Sequence, residues 1–167
     1  MSGGPEQGVE YAAYLKDQLA REYSRRDQVN SRAATAITSA TGLATLATGI
    51  FALILGKDFT LKGAALTSMA AALLAFLAAA VFAVIAGLNR TYDAVDEATM
   101  RSLLSAEHWK DNPIDARWQT ANFTILSVTT LRTGTNFKYR FLALSGIAQI
   151  VAILALGVCA IAVFGWE

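Results

Sequence analysis

The 167-residue sequence predicts an all-α integral membrane protein with three transmembrane helices, an N-terminal amphipathic cytosolic helix and a cytosolic helical hairpin. Three observations predict it. Residues 33–56, 63–88 and 141–166 form runs of 24, 26 and 26 residues that contain no Asp, Glu, Lys, Arg or His. A bilayer core of ~30 Å takes about 20 helical residues at ~1.5 Å each, so each run is long enough to span it. Only Lys57-Asp58-Phe59-Thr60-Leu61-Lys62 joins the first two runs, so the second span must return antiparallel beside the first. Finally, 16% of residues are charged and 54% hydrophobic, with mean hydropathy +0.41, whereas a soluble domain carries about a quarter charged residues.

These features divide the chain into a disordered start and cytosolic helix (1–32), a transmembrane hairpin (33–88), a cytosolic helical hairpin (89–140) and a third transmembrane helix (141–167). Of the 14 Lys and Arg, five precede residue 33, two lie in the connector, seven lie between 89 and 140, and none follows Arg140. Basic flanks stay on the cytoplasmic side, so the N-terminus and 89–140 are expected there, with Glu167 outside. The net charge of +1 averages over segments on opposite sides and speaks neither for nor against nucleic acid. Thirty-two mostly polar residues precede the first apolar run, which excludes a cleaved signal peptide. Cys159, the single cysteine, lies in the third run and can build neither a disulfide framework nor a metal site.

Residues 1–8 are polar and Gly/Pro-rich, and are read as disordered. From Val9 to Arg32, Tyr11, Leu15, Leu19 and Tyr23 recur every four residues, the pattern of a helix running into the first span. Within that span Thr38, Thr41, Thr45 and Thr48 fall at i, i+3, i+7 and i+10, on one helix face. Two readings stay open. The hydroxyls bond to their own i−4 carbonyls on an ordinary helix interface, or in an oligomer they line a water-filled path. The second span carries Thr67, Ala71, Ala75, Ala79, Ala83 and Gly87 at every fourth position, a small-residue stripe that lets helices approach closely.

Past Leu88 the residues Tyr92, Val95, Leu103 and Ala106 keep near-helical spacing, and the helix is expected to continue ~20 residues, about 30 Å, into the cytosol. Asn112 then reads as an N-cap with Pro113 at N1 and Asp115 at N3. Trp118, Ala121, Ile125 and Val128 give the following helix an apolar stripe, and Gly134 is its expected weak point. In the third span Gln149 is the one strongly polar residue, and an amide in hydrocarbon seeks a partner on another helix or lines a conduction path. Trp166 suits the outer interface.

Motifs for chemistry are absent. His108 stands alone beside Glu107, and the sequence holds no HExxH, GxxxxGK[ST], GxSxG or Cys/His cluster. No carboxylate lies in an apolar run, which disfavours proton-coupled transport. The reading is a non-enzyme without catalytic residues, metal or cofactor. Arg25, Arg26, Arg132, Lys138 and Arg140 are candidates for meeting an anionic signal, because guanidinium forks match phosphate. Basic residues at a cytoplasmic boundary also follow from topology alone.

A helix of the type Tyr14-Leu15-Lys16-Asp17-Gln18 … Glu22-Tyr23-Ser24-Arg25-Arg26 leads into a two-span hairpin, followed by a charged hairpin and the aromatic-basic Phe137-Lys138-Tyr139-Arg140-Phe141 stretch. This layout resembles the SLATT and Pycsar-type small transmembrane effectors of bacterial antiphage defence, with a third span added to their two-span pattern. The resemblance implies an effector in the bacterial inner membrane, acting beside a nucleotidyltransferase or cyclase. It would sense a cyclic nucleotide or oligonucleotide, with no role for duplex nucleic acid, then oligomerise and breach the membrane in abortive infection. Two classes of function are carried forward: an oligomeric channel or pore gated from the cytosol, and a non-conducting membrane adaptor whose cytosolic helices bind a protein partner.

Overall fold

The computed structural model describes residues 5–55, 63–88, 97–103, 105 and 112–164, and every element among them is helical: α1 (Pro5–Leu55), α2 (Ala64–Gly87), α3 (Glu97–Ser102) and α4 (Pro113–Phe164). The expectations for the 57–62 connector, for Glu107 and His108, and for Trp166 and Glu167 fall outside these residues. Two helices, α2 and α4, are long and apolar enough to cross a membrane. Only 33% of the most apolar stretch of α2 and 11% of that of α4 is buried inside the subunit, so most of this apolar surface faces outward.

Several boundaries differ from expectation. α1 already begins at Pro5, within the stretch read as disordered, and runs without a break for 51 residues. α4 runs 52 residues straight through Gly134, because one glycine costs about 1 kcal/mol and the packed turns on either side outweigh it. α2 stops at Gly87 instead of continuing into 89–140. Leu88 turns extended (φ −58°, ψ 135°) while its N–H still donates to the Val84 carbonyl at 3.0 Å. Gly87 and Asn89 flank that residue, and both are poor helix formers. Only the six-residue α3 is described in the expected first arm of the 89–140 hairpin; the second arm is the start of α4. That start has the expected cap: Asn112 Oδ1 accepts from the Ile114 N–H at 3.2 Å, its carbonyl accepts from Ala116 N–H at 3.0 Å, and Asp115 sits in the first turn.

Burial along the helices follows a heptad rather than a strict repeat of four. On α2 the buried residues are Ala65, Met69, Ala72, Phe76, Ala79, Ala83 and Ala86. Steps of exactly four advance about 40° round a helix each time, so the expected alanine stripe winds off the seam, whereas alternate steps of four and three stay on it. Ala79 and Ala83 are therefore buried, Ala75 is half-buried and Ala71 is exposed, while Phe76 enters the core. On α4 the seam passes through Leu131, Lys138, Ser145, Ala152 and Cys159, each seven residues after the last and all buried. Trp118 and Ile125 lie off it and are exposed, unlike Val128. On α1, Tyr11 and Tyr23 of the expected apolar stripe are exposed, and Glu22, which is not part of that stripe, is buried.

The chain forms two compact units. Residues Met1–Gln28 and Asn89–Asn136 make the first, Val29–Leu88 and Phe137–Glu167 the second. In the first unit α1 and α4 run parallel, joined at Glu22 to Arg132 and at Arg25 to Asn136. In the second they again run parallel, Asn30 meeting Lys138 and Ala36 meeting Gln149, while α2 runs antiparallel to both. Its direction is fixed by Ser145 against Ala79, Cys159 against Ala65, and the approach of Gly87 to Ala33. Gly63, with φ +58°, turns the chain into α2 in a conformation that only glycine adopts at no steric cost.

Candidate functional site

In the first unit the seam between α1 and α4 holds a carboxylate. Glu22 is 2% exposed, at a position where its neighbours along the heptad are Leu15, Leu19 and Val29. Arg132 Nε donates to its Oε1 at 2.9 Å, and Arg25 Nη1 donates to Oε1 and Oε2 at 3.1 and 3.0 Å. Arg25 Nη2 also reaches Asn136 Oδ1 at 3.4 Å. A buried carboxylate needs such partners, since its desolvation costs several kcal/mol unless charge and hydrogen bonds compensate. Both guanidiniums remain partly exposed, with 40% of the Arg25 side chain and 51% of that of Arg132 in contact with solvent. Arg26 turns another way, donating to Asp27 at 3.3 Å and lying 5.3 Å over the Tyr23 ring.

In the second unit the polar residues of α4 spend their donors on backbone. Ser145 Oγ donates to the Ala79 carbonyl at 2.8 Å, Gln149 Nε2 to that of Ala36 at 3.0 Å, and Cys159 Sγ to that of Ala65 at 3.3 Å. Small residues opposite them permit this close approach. Gln149 thus has its interhelical partner. Lys138 is 1% exposed and its Nζ donates to Asn30 Oδ1 at 2.9 Å, so it is a buried tie between α1 and α4 rather than a surface ligand for an anionic signal. Arg140 is exposed.

The four threonines share the outward side of α1 in this unit. Thr38, Thr41, Thr45 and Thr48 donate to the carbonyls of Ala34, Ile37, Thr41 and Ala44 at 2.8 to 3.1 Å. Each oxygen is left to accept. Gly42 and Gly49 share this exposure, and a methyl group at either would meet nothing within 4 Å. Leu43 and Leu46 are exposed among them, Leu46 to 63%; on the other two helices Leu66, Leu74 and Leu77 of α2, and Ile147, Leu154 and Ile161 of α4, are all more than half exposed.

The chain matches no protein family, no curated protein and no solved structure.

Of the five basic residues proposed to meet an anion, the structure brings two together. Arg25 and Arg132 converge, and what they converge on is the chain's own Glu22. Sequence reasoning missed Glu22 and Asn30 because the stripe it followed, Tyr11, Leu15, Leu19 and Tyr23, passes through neither. The heptad spacing from Leu15 to Glu22 to Val29 was the available signal. It also missed Lys16 and Arg117, which share a groove with Val9, Leu19 and Ala121 between the first turns of α1 and α4. Among the described residues, no group of three or more His, Cys, Asp and Glu side chains could hold a metal ion.

Proposed function

We propose that the chain is an oligomeric membrane effector whose subunits surround a channel or pore opened from the cytosol by a small anionic signal. Its setting would be the bacterial inner membrane, in a defence response that disrupts the membrane of an infected cell. The observation that carries this reading is the outer surface of the second unit: long aliphatic side chains dominate it on α2 and α4, whereas on α1 the exposed Leu43 and Leu46 stand among hydroxyls and glycines. Aliphatic faces suit lipid, and a face of Thr38, Thr41, Thr45, Thr48, Gly42 and Gly49 suits close contact with further copies around a polar axis. A three-helix subunit is too small to enclose a wide path alone, so several copies are required.

Supporting a third span is the direction of the helices. The uncharged half of α1 runs parallel beside the apolar half of α4, tied at Asn30–Lys138 and Ala36–Gln149, so a bilayer that takes α4 would take α1 with it. The test is conductance in planar bilayers of the wild type against Thr45→Val and Thr48→Val, with the outward Leu74→Val as control. The threonine variants are expected to lower unitary conductance and the control to leave it unchanged. Equal conductance in all three at equal expression would move the path away from α1.

One observation favours a second reading, a non-conducting adaptor. The first unit exposes Tyr11, Tyr14 and Trp118, the last to 69% of its surface, and such aromatic residues are enriched where a protein partner docks. Absence of any conductance would put this reading first.

A further inference from the structure

We propose that the outward stripe of α4 headed by Arg140 holds one anionic phospholipid, its phosphate on the guanidinium and an acyl chain along the helix. Lys138 and Arg140 lie two positions apart on α4, and two positions turn a helix through about 200°. Lys138 points inward to Asn30 at 2.9 Å, so Arg140 leaves the opposite side of the helix, where it is exposed. Rings hold this turn from within: the Phe141 ring lies 4.6 Å from that of Phe137 and 6.1 Å from that of Phe82 on α2. Packing on the inner side therefore fixes the turn that carries Arg140.

After Arg140 the helix carries no charge to its end at Phe164. Leu144, Ile147, Val151, Leu154 and Val158 follow Arg140 in alternate steps of four and three, the spacing of one straight helix face, and all five are exposed. From Arg140 to Val158 this face measures about 27 Å at ~1.5 Å per residue, against a bilayer core of ~30 Å. One charge at the head and hydrocarbon for the remaining length is the division a phospholipid makes along its own axis. A soluble anion would meet a single guanidinium and no wall around it. A zwitterionic lipid would suit the aliphatic face but bring its own cation to the phosphate. Among the described residues neither Arg140 nor Arg32 has an ion pair or hydrogen bond through its side chain. Arg32 stands at the same level on α1, between Asn30 and Ala36, which meet α4 at Lys138 and Gln149. The second unit thus carries two exposed cations at one level, where the headgroups of an anionic leaflet would lie. The inference rests on α4 crossing the bilayer, and not on whether the chain conducts.

The experiment counts lipid. The full chain is purified in neutral detergent containing equal amounts of phosphatidylglycerol and phosphatidylcholine with the same acyl chains, and the lipid it retains is measured by mass spectrometry. Phosphatidylglycerol should be retained about fivefold over phosphatidylcholine, the preference that one cation at a membrane surface gives an anionic headgroup. Arg140→Gln should bring the ratio close to that of the detergent mixture and leave the melting temperature unchanged, since the side chain it replaces is exposed. Arg140→Lys keeps the charge and should keep most of the preference. Ile147→Gln, which puts an amide on the aliphatic face, should lower the retention of both lipids. Arg21→Gln removes a cation that pairs with Asp17 in the first unit, and should leave the ratio as it was. Equal retention of the two lipids by the wild type, or a wild-type ratio in Arg140→Gln, overturns the site. So does displacement of phosphatidylglycerol by about 10 mM inorganic phosphate, which would make Arg140 a position for a free anion.

Discussion

Arg132 Nε lies 2.9 Å from Glu22 Oε1, and of the two side chains only Glu22 is buried. This asymmetry decides what each substitution does. Glu22→Gln keeps the size but leaves a neutral amide in the seam facing two guanidiniums, and should lower stability by about 1–3 kcal/mol. Glu22→Leu removes the buried charge, lets Arg25 and Arg132 turn to water, and extends the apolar heptad, so it should be near neutral or stabilising. Thermal unfolding in detergent separates them. A leucine variant less stable than the glutamine variant would show that the ion pair contributes more than its desolvation costs.

Thr135 Oγ1 is buried with no hydrogen-bond partner among the described residues. Thr135→Val has nearly the same shape and removes the orphaned hydroxyl. An unsatisfied buried donor costs about 1–3 kcal/mol, so the variant should unfold at a higher temperature. A lower one would mean that a buried water serves the hydroxyl.

How much of this was legible in the sequence depended on the kind of signal. The N-cap at Asn112 was readable because a cap is local: one side chain, one proline and one acid within four residues. The seam was not, because in an apolar helix the buried and the exposed residues have the same hydrophobicity. Leu74 and Leu77 are exposed while Ala72 and Ala79 are buried, the reverse of a soluble helix. On α4 the buried heptad includes Lys138 and Ser145, neither of which a hydrophobic pattern would select. The threonine row was visible from its spacing, and so was its capacity to bond to i−4 carbonyls; which molecule faces it depends on copies of the chain that one sequence cannot position. Glu22 and Arg132 are 110 residues apart, and nothing local in either segment announces the pairing.

The heptad seam makes adjacent alanines on α2 unequal. Ala72 is fully buried and Ala71 is exposed. Ala72→Leu forces three added carbons between helices in contact and should cost about 1–3 kcal/mol, or more where the backbone cannot move. Ala71→Leu should leave the subunit's melting temperature within about 0.5 kcal/mol of wild type. Light scattering on the same samples reads the assembly separately. If Ala71→Leu disperses an oligomer without lowering the melting temperature, the outward face of α2 joins subunits, and the lipid-facing role given to that face fails.

The number of spans can be read from the two ends of the chain. α2 and α4 alone would leave both termini on one side, because two crossings return the chain to its start. If residues 33–55 of α1 also cross, three crossings put the termini on opposite sides. These 23 residues carry no charge and, at ~1.5 Å each, reach about 34 Å against a core of ~30 Å. Their neighbour on α4 at Gln149 is met by the Ala36 carbonyl, a bond that would be out of place if α1 lay in water while α4 lay in lipid. Compartment-sensitive reporters fused before Met1 and after Glu167 should therefore report opposite sides, with the N-terminal fusion cytoplasmic as the Lys and Arg distribution requires. Reporters on the same side would limit the protein to two crossings, take α1 out of the bilayer, and remove the threonine face from any transmembrane path.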